Sequence, residues 1–269
     1  MRHQNGRLPL ILAVITGATL HATEPGNTSD SDVEKFLQSA RVLSSASIGQ
    51  GVTKASRATL SLAGRVHDAQ IQSVSIKLND LYDPAGNPVP WRDDYRHNVA
   101  AYKLDRLLGL NMVPPTVERL SGKQRAGYTW WVDDVLMMEM DRERKKIDPP
   151  DVEAWGRQLS VATTFDQLIY NVDRNTGNLL ITKDWKLILI DHTRAFAPNP
   201  RLMDRSDFQR CSRTLLDALK KLTKEKLEAA LSPYLAPRQV DGMLLRRDLI
   251  VKHFNTLIAE KGEAAVLFR

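Results

Sequence analysis

The sequence predicts an α+β fold with a β-rich N-terminal half and a mainly helical C-terminal half. Three observations carry this. Segments 58–62, 69–78, 116–120 and 128–138 read as strands bounded by turn-forming residues. Segments 151–170 and 211–261 repeat apolar residues three and four apart, as in Leu215/Leu216/Leu219/Leu222 and Leu244/Leu245/Leu249/Ile250. Between them, at 165–196, the pattern passes from helix to polar loop to hairpin, and the polar residues suited to chemistry gather there.

Composition sets the outer limits. The chain has 269 residues, 42% hydrophobic and 26% charged, which is globular rather than disordered. A net charge of +6 permits attraction to phosphates, nucleic acid or an anionic membrane. No basic run carries interleaved aromatics, so a nucleic-acid partner is not expected. Arg142, Arg144, Lys145 and Lys146 form the densest basic cluster and read as a solvated face. Cys211 is the sole cysteine, so there is no internal disulfide and no zinc pattern. In a predicted C-terminal helix it reads as buried.

Taken in order, residues 1–22 read as a signal peptide. Arg2, His3 and Arg7 make a basic start, Leu8 to Ile15 is an apolar core, and Thr16-Gly17-Ala18 or Leu20-His21-Ala22 offers a cleavage site. That stretch is too short to span a bilayer comfortably, and no other segment approaches span length. Export, periplasmic or secreted, is therefore expected; a cytoplasmic protein with a loose N-terminus is the alternative. Residues 23–31 read as a linker. Asp32–Ala46 has helical spacing, with Ser31 and Glu34 placed for a capping box. Gly49 and Gly51 flank a turn before Ala58–Leu62. A turn at Ala63-Gly64 leads into Ala69–Leu78. Asn79–Tyr95 reads as a long loop that either covers a site or is a surface insertion. Asn98–Leu108 is a helix stopped by Gly109, and Pro114-Pro115 forces extended chain into Thr116–Leu120. Tyr128–Met138 reads as a strand interrupted at Asp133-Asp134, with Trp130 and Trp131 packing on its two faces. Asp141–Pro150 is a loop, Asp151–Tyr170 a helix, and 194–208 irregular. Helices follow at Cys211–Leu222, Lys224–Leu231, Pro237–His253 and His253–Lys261, and Gly262 breaks the last.

The helix ending at Tyr170 empties into a loop holding Asp173, Arg174 and Asn178. Leu179–Thr182 and Trp185–Ile190 then form a hairpin that returns the chain to Asp191. Pairing 182 with 185 sets Asn178 opposite Leu189 and Asp191 within a residue or two of it. Asn178 and Asp191 thus offer an amide oxygen and a carboxylate to a hard cation such as Mg²⁺, which takes one or two carboxylates plus substrate phosphates. Asp173 is left free to accept a proton. Asp166, on the preceding helix, reads as a structural hydrogen-bonding residue. Arg174 either orients Asp173, pairs with a phosphate or makes a structural ion pair.

The pattern D-R-x-x-x-N at 173–178, followed by a hairpin and Ile190-Asp191, resembles the catalytic and metal-binding loops of the protein-kinase-like superfamily. The Asp-Arg order is nearer to its phosphatidylinositol-kinase and secretory-pathway (Golgi casein kinase) branches. AAYKLDRLLGLNMVPPTVER, WWVDDV and FDQLIYNVDRNTGNLLITKDWKLILIDHTRAF resemble a group of bacterial proteins of unassigned substrate in that superfamily. The likeness spans about residues 33–269. It implies a two-lobed fold, with a β-rich N-lobe over 32–138 and a helical C-lobe over 139–269. It also implies ATP with Mg²⁺ or Mn²⁺ as cofactors. Asp173 and Arg174 would be catalytic, and Asn178 and Asp191 would hold the metal. The Gly49–Gly51 turn would cover the phosphates, and the lobe crossing at Met138-Glu139-Met140 would hold the adenine. Such folds need a strand lysine paired with a helix glutamate. Here Gln72 stands in the lysine's place, with Lys77 at the end of the predicted strand, and Asn98 in the glutamate's place. An amide pair can hydrogen-bond but brings no positive charge to a phosphate.

Three functions remain. The first is an ATP- and metal-dependent phosphotransferase acting on a hydroxyl of a protein, lipid or small molecule. The second is a catalytically impaired pseudokinase, an exported binding or scaffold module. The third is the same fold with altered transfer chemistry, such as moving a nucleotidyl group. G-x-S-x-G and H-E-x-x-H are absent from the sequence, which leaves a hydrolase little support.

Overall fold

The computed structural model describes residues 28–48, 55–78, 91–203 and 208–269. The expected signal peptide, Gly49, Gly51 and most of the 79–95 loop lie outside the described residues.

The N-terminal half is one antiparallel sheet with two helices against it. Helix α1 (Asp30–Ser39) leads into β1 (Arg41–Ser47), β2 (Ser56–Leu62) and β3 (Arg65–Gln72). A separate hairpin-like pair, β4 (Ser75–Leu78) and β5 (Trp91–Asp94), precedes helix α2 (Arg96–Leu108). Strands β6 (Thr116–Ser121) and β7 (Gln124–Trp130) complete the sheet in the order β1-β2-β3-β7-β6. Val33, Phe36 and Leu37 of α1 pack with Leu60, Ala69, Val117 and Tyr128 of the sheet.

Helix α1 is shorter than its periodicity predicts. Ser29, not Ser31, caps it by accepting from Asp32 N, and Ala40 closes it in an extended conformation. The residues beyond are an exposed edge strand, where Val42 pairs with Leu60. The predicted strand 69–78 also divides. Chain direction changes at Ser73-Val74, so Gln72 ends β3 while Lys77 belongs to β4. The predicted loop contains β5, which finds its partner in β4.

Helix α2 joins the two halves. Tyr102, Leu104 and Leu108 share a core with the C-terminal helices. Gly109, at φ 72°, ends the helix in the left-handed conformation that glycine adopts without strain. Buried Asp105 then accepts from Met112 N (2.9 Å) and Val113 N (3.2 Å), which turns the chain into β6.

The chain leaves the N-terminal sheet at Trp131–Asp134, earlier than expected. The next strand, β8 (Val135–Met138), pairs with β9 (Leu179–Thr182), which pairs with β10 (Leu187–Leu189). Met138-Glu139-Met140 is therefore the turn from β8 into α3 (Glu139–Lys145), not the crossing between halves. Helix α4 (Val152–Ile169), capped by Asp151, carries the C-terminal core. The remaining elements are β11 (Cys211–Ser212), α5 (Arg213–Lys220), α6 (Lys224–Leu231), α7 (Pro237–Lys261), α8 (Glu263–Val266) and β12 (Leu267–Phe268). Cys211 is buried as expected but on a strand, beside Leu267. The two predicted helices meeting at His253 are one continuous helix, α7.

Helix α7 is fixed by a fully buried arginine. Arg246 donates through Nε to Leu168 O (2.8 Å) and through Nη1 to Ala197 O (3.1 Å) and Asn199 O. It thereby ties α4 and the irregular segment after residue 191 to α7. Arg246→Met keeps the bulk but strips all three carbonyls of their donor. We expect a loss of about 3 kcal/mol, read as an earlier urea midpoint with an unchanged m-value.

Candidate active site

The site is built where α4 ends. Tyr170 takes a left-handed conformation (φ 51°) and turns the chain out of the helix. Asn171 holds the turn: its Nδ2 donates to Asp166 Oδ1 (3.1 Å) and its Oδ1 accepts from Asp173 N (3.2 Å). Asn175 accepts from Gly177 N, which folds Thr176–Asn178 into a 3₁₀ turn. Asn178 O then accepts from Ile190 N (3.1 Å). The predicted hairpin is present with its register moved by one. Leu189 opposes Leu179, and Asn178 stands beside Ile190 rather than opposite Leu189. The cause is a three-residue loop, 183–185, with Trp185 left-handed (φ 59°), where the sequence suggested two residues.

Arg174 lies at the centre of this loop with all five N–H groups engaged. Nε and Nη2 clasp Asp166 (2.9 and 3.1 Å). Nη1 donates to Asn178 O (3.0 Å) and Ile190 O (2.8 Å). Nη2 also donates to His192 Nε2 (2.9 Å). Burial, and then the Arg174 cation, hold His192 well below its ordinary pKa, so it is neutral and accepts this bond. Of the three roles open to Arg174, the structural ion pair is the one observed. Every N–H of Arg174 is engaged, which leaves it no donor for a phosphate.

The clamp leaves three candidate groups at the cleft, Asp173, Asn178 and Asp191. Asp173 is about half exposed, with Oδ2 3.9 Å from Arg194 Nε. Asn178 donates through Nδ2 to Asp173 O (3.4 Å), which leaves its Oδ1 without a protein partner. Asp191 is left-handed (φ 52°) and accepts from Thr193 Oγ1 (3.0 Å). Burial raises the Asp191 pKa; the Thr193 hydrogen bonds oppose this, while Asp93 and Asp173 add to it.

Asp93 was not foreseen. It lies on β5, which is joined to the 191–194 segment by Asp94 N donating to Thr193 O (2.9 Å). Asp93 is buried, pairs through Oδ2 with Arg194 Nε (3.0 Å), and has no partner for Oδ1. The only signal in the sequence was the Asp93-Asp94 doublet before a helix, which reads as a cap. Asp94 accepts from Arg96 N (3.0 Å) at the start of α2, one residue before its N-cap Tyr95, whereas Asp93 faces the site.

Gln72 and Asn98 meet. Asn98 Nδ2 donates to Gln72 Oε1 (2.8 Å), and Asn98 Oδ1 accepts from His192 N (2.7 Å). Gln72 Nε2 is buried without an acceptor. Behind this bridge, Gln70, Thr116, Thr129 and Ile190 line a cavity of about 10 Å³, room for about one water. Lys77 stands elsewhere. It opposes Arg92 on β4–β5, on the face away from Asp93, and its side chain is exposed. The side chain of Glu139 is buried and clasped by Arg142 (2.6 and 2.8 Å). Met140 packs over the 3₁₀ turn, where a methyl added to Gly177 would meet its Sδ at 3.8 Å.

No protein-family model and no curated protein matches the sequence. Solved structures do match. Hydra Fam20 with sugar superposes with a TM-score of 0.69 at 17% identity, over 91% of this chain and 94% of that one. The Golgi casein kinase with Mn/ADP bound superposes with a TM-score of 0.59 at 14% identity, over 88% and 78%. The Helicobacter pylori proinflammatory kinase CtkA gives 0.55 at 11% identity, over 84% and 98%. The chain therefore has the two-lobed protein-kinase-like fold, as its loop motifs implied.

Because its folded pKa is raised, Asp191 favours the fold when protonated, and that stability is lost as pH rises through the folded value. Asp191→Asn should therefore melt above the parent at about pH 7 without divalent cation, with the gap closing towards about pH 4. A melting curve at each pH reads it; an Asn variant that melts lower throughout would refute the assignment.

Proposed function

We propose that this chain is a nucleotide- and metal-dependent phosphotransferase acting on a hydroxyl acceptor. One observation carries the reading: the clamped loop presents Asp173, Asn178 Oδ1 and Asp191 together, and Asp93 adds a buried carboxylate oxygen with no partner. An orphaned anionic oxygen beside a second buried carboxylate fits a divalent cation. The orphaned Gln72 Nε2 fits a phosphate oxygen. Among the described residues no three His, Cys, Asp or Glu side chains close on one point. That donor set suits a cation of the Mg²⁺ or Mn²⁺ kind, completed by an amide oxygen, water and substrate phosphates. The Golgi casein kinase solved with Mn/ADP supports the same cofactors here.

Asp191, Asn178 and Asp93 would hold the cation, which neutralises charge on the transferring phosphoryl group when bound. Asp173, the most exposed of the three carboxylates, accepts the proton as the acceptor hydroxyl attacks phosphorus. The new O–P bond forms as the bond to the diphosphate leaving group breaks. Gln72 and Asn98 orient that diphosphate by hydrogen bonding alone.

The amide pair also favours a second reading, a catalytically impaired pseudokinase that binds nucleotide without transfer. Altered transfer chemistry stands between the two. The apolar stretch Leu8–Ile15 supports export, and among the described residues no helix is long and apolar enough to cross a membrane.

Thermal unfolding with ATP and Mg²⁺ or Mn²⁺ separates these readings. Ligand at about 100 times its Kd adds roughly 2.7 kcal/mol, a shift of about 5–10 °C for a chain of this length. The shift should need the cation and vanish in Asp191→Ala. Asp173→Ala should keep the shift and lose transfer of labelled phosphate. A shift with no transfer by the parent supports the pseudokinase, and no shift with millimolar nucleotide overturns both.

A further inference from the structure

On the face of β5 that looks away from Asp93, a cavity of about 360 Å³ opens between the two lobes. Arg92, Asp94 and Arg96 wall it on one side, and Tyr234, Pro237 and Arg238 on the other. Asp94 is fully buried and organises the first wall. It binds Arg96 through both oxygens (Nε 3.0 Å, Nη2 2.7 Å) and stands 3.5 Å from Arg92 Nε. Ser75 fixes Arg92 further, accepting from its Nη2 through O (2.8 Å) and Oγ (3.0 Å). Two guanidinium groups are thus held in place by one carboxylate. Across the cavity, Arg238 stands in the first turn of the 25-residue α7, exposed and without a partner among the described residues.

Three cations against one carboxylate leave two positive charges facing one enclosed space. Glu118, which also acts on Arg96, is taken by Tyr95 Oη (2.7 Å) and Arg125 (3.4 Å). Planar guanidinium groups held in a fixed geometry match phosphate oxygens. The start of α7 adds its dipole in the same sense. Tyr234 and Pro237 form an apolar wall beside the charges, and the volume is that of a small-ligand site.

We propose that this cavity is a binding site for a phosphate monoester, with the phosphate between Arg96 and Arg238 and the organic group against Tyr234 and Pro237. The site is separate from the one at Asp173 and Asp191 and does not depend on phosphotransfer there. It is nonetheless wired to it. His97, in the cavity floor, donates through Nδ1 to Thr193 O (2.8 Å) and accepts at Nε2 from Gln239 (3.2 Å), while Gln239 donates to Phe196 O (2.9 Å). A ligand drawing β5 and α7 together acts directly on the segment that carries Asp191.

Isothermal titration calorimetry of the full chain with phenyl phosphate tests this, with inorganic phosphate as a parallel arm. One phenyl phosphate should bind per chain. Binding should weaken by about tenfold or more in Arg238→Gln and in Arg96→Gln, and be retained in Asp191→Ala. Arg238 is exposed and unpaired, so its substitution reports on the site even if Arg96→Gln, which uncovers Asp94, fails to fold. No heat with millimolar phenyl phosphate overturns the proposal. So does binding that survives Arg238→Gln, or that is lost in Asp191→Ala and hence belongs to the other cleft. Equal affinity for inorganic phosphate overturns the monoester and leaves the free anion as the occupant.

Discussion

Arg174 commits all five of its N–H groups inside the protein, and the active loop takes its shape from them. Its bonds reach the end of α4 through Asp166, the 3₁₀ turn through Asn178 O, the hairpin's return strand through Ile190 O, and the next residue pair through His192. The helix end, the 3₁₀ turn and the chain leaving the hairpin are thereby held at one point. Both partners of the ion pair are almost wholly buried. Such a pair adds little net stability over an apolar replacement, but breaking it strands a buried charge at a cost of about 3–5 kcal/mol. Its value is in fixing one geometry, in which every guanidinium N–H has a partner.

A second polar bridge works at longer range. Asn98 receives from His192 N and gives to Gln72, so strand β3, helix α2 and the segment after Asp191 meet on one side chain. An ion pair at this place would bring one charge of each sign into a buried cleft. The amide pair brings neither and needs no charge desolvated. It holds the two lobes in register with neutral hydrogen bonds, and it leaves Gln72 Nε2 as a directional donor rather than a cation. Positive charge reaches the site from the other side instead, through Arg194 between Asp93 and Asp173.

Much of this was legible in sequence order because it is local. The helix into Tyr170, the polar loop, the hairpin and the return to Asp191 follow from periodicity alone, and so does α2 with its glycine stop. What could not be read was set by partners distant in the chain. Val135–Met138 leaves the N-terminal sheet because β9, over forty residues later, supplies its hydrogen bonds. Asp93 points into the site because β4 pairs with β5 and so decides which face each residue takes. That same alternation carries Lys77 away. Arg174 read three ways because a guanidinium suits a phosphate, a carboxylate or carbonyls equally. Only the fold shows that a carboxylate and two carbonyls already surround it. The hairpin register slipped by one because Trp185 enters a left-handed conformation that an aromatic side chain gives no reason to expect.

The lone thiol has a consequence for how the chain is made. Cys211 is fully buried on β11, and burial pushes its thiol up to about 12. It is therefore almost never a thiolate in the native state, and thiolate is the form that attacks disulfides. Maturation has no oxidative step to wait for and no mispaired bridge to correct. Oxidising and reducing compartments lead to the same native chain, so its biogenesis is indifferent to redox poise.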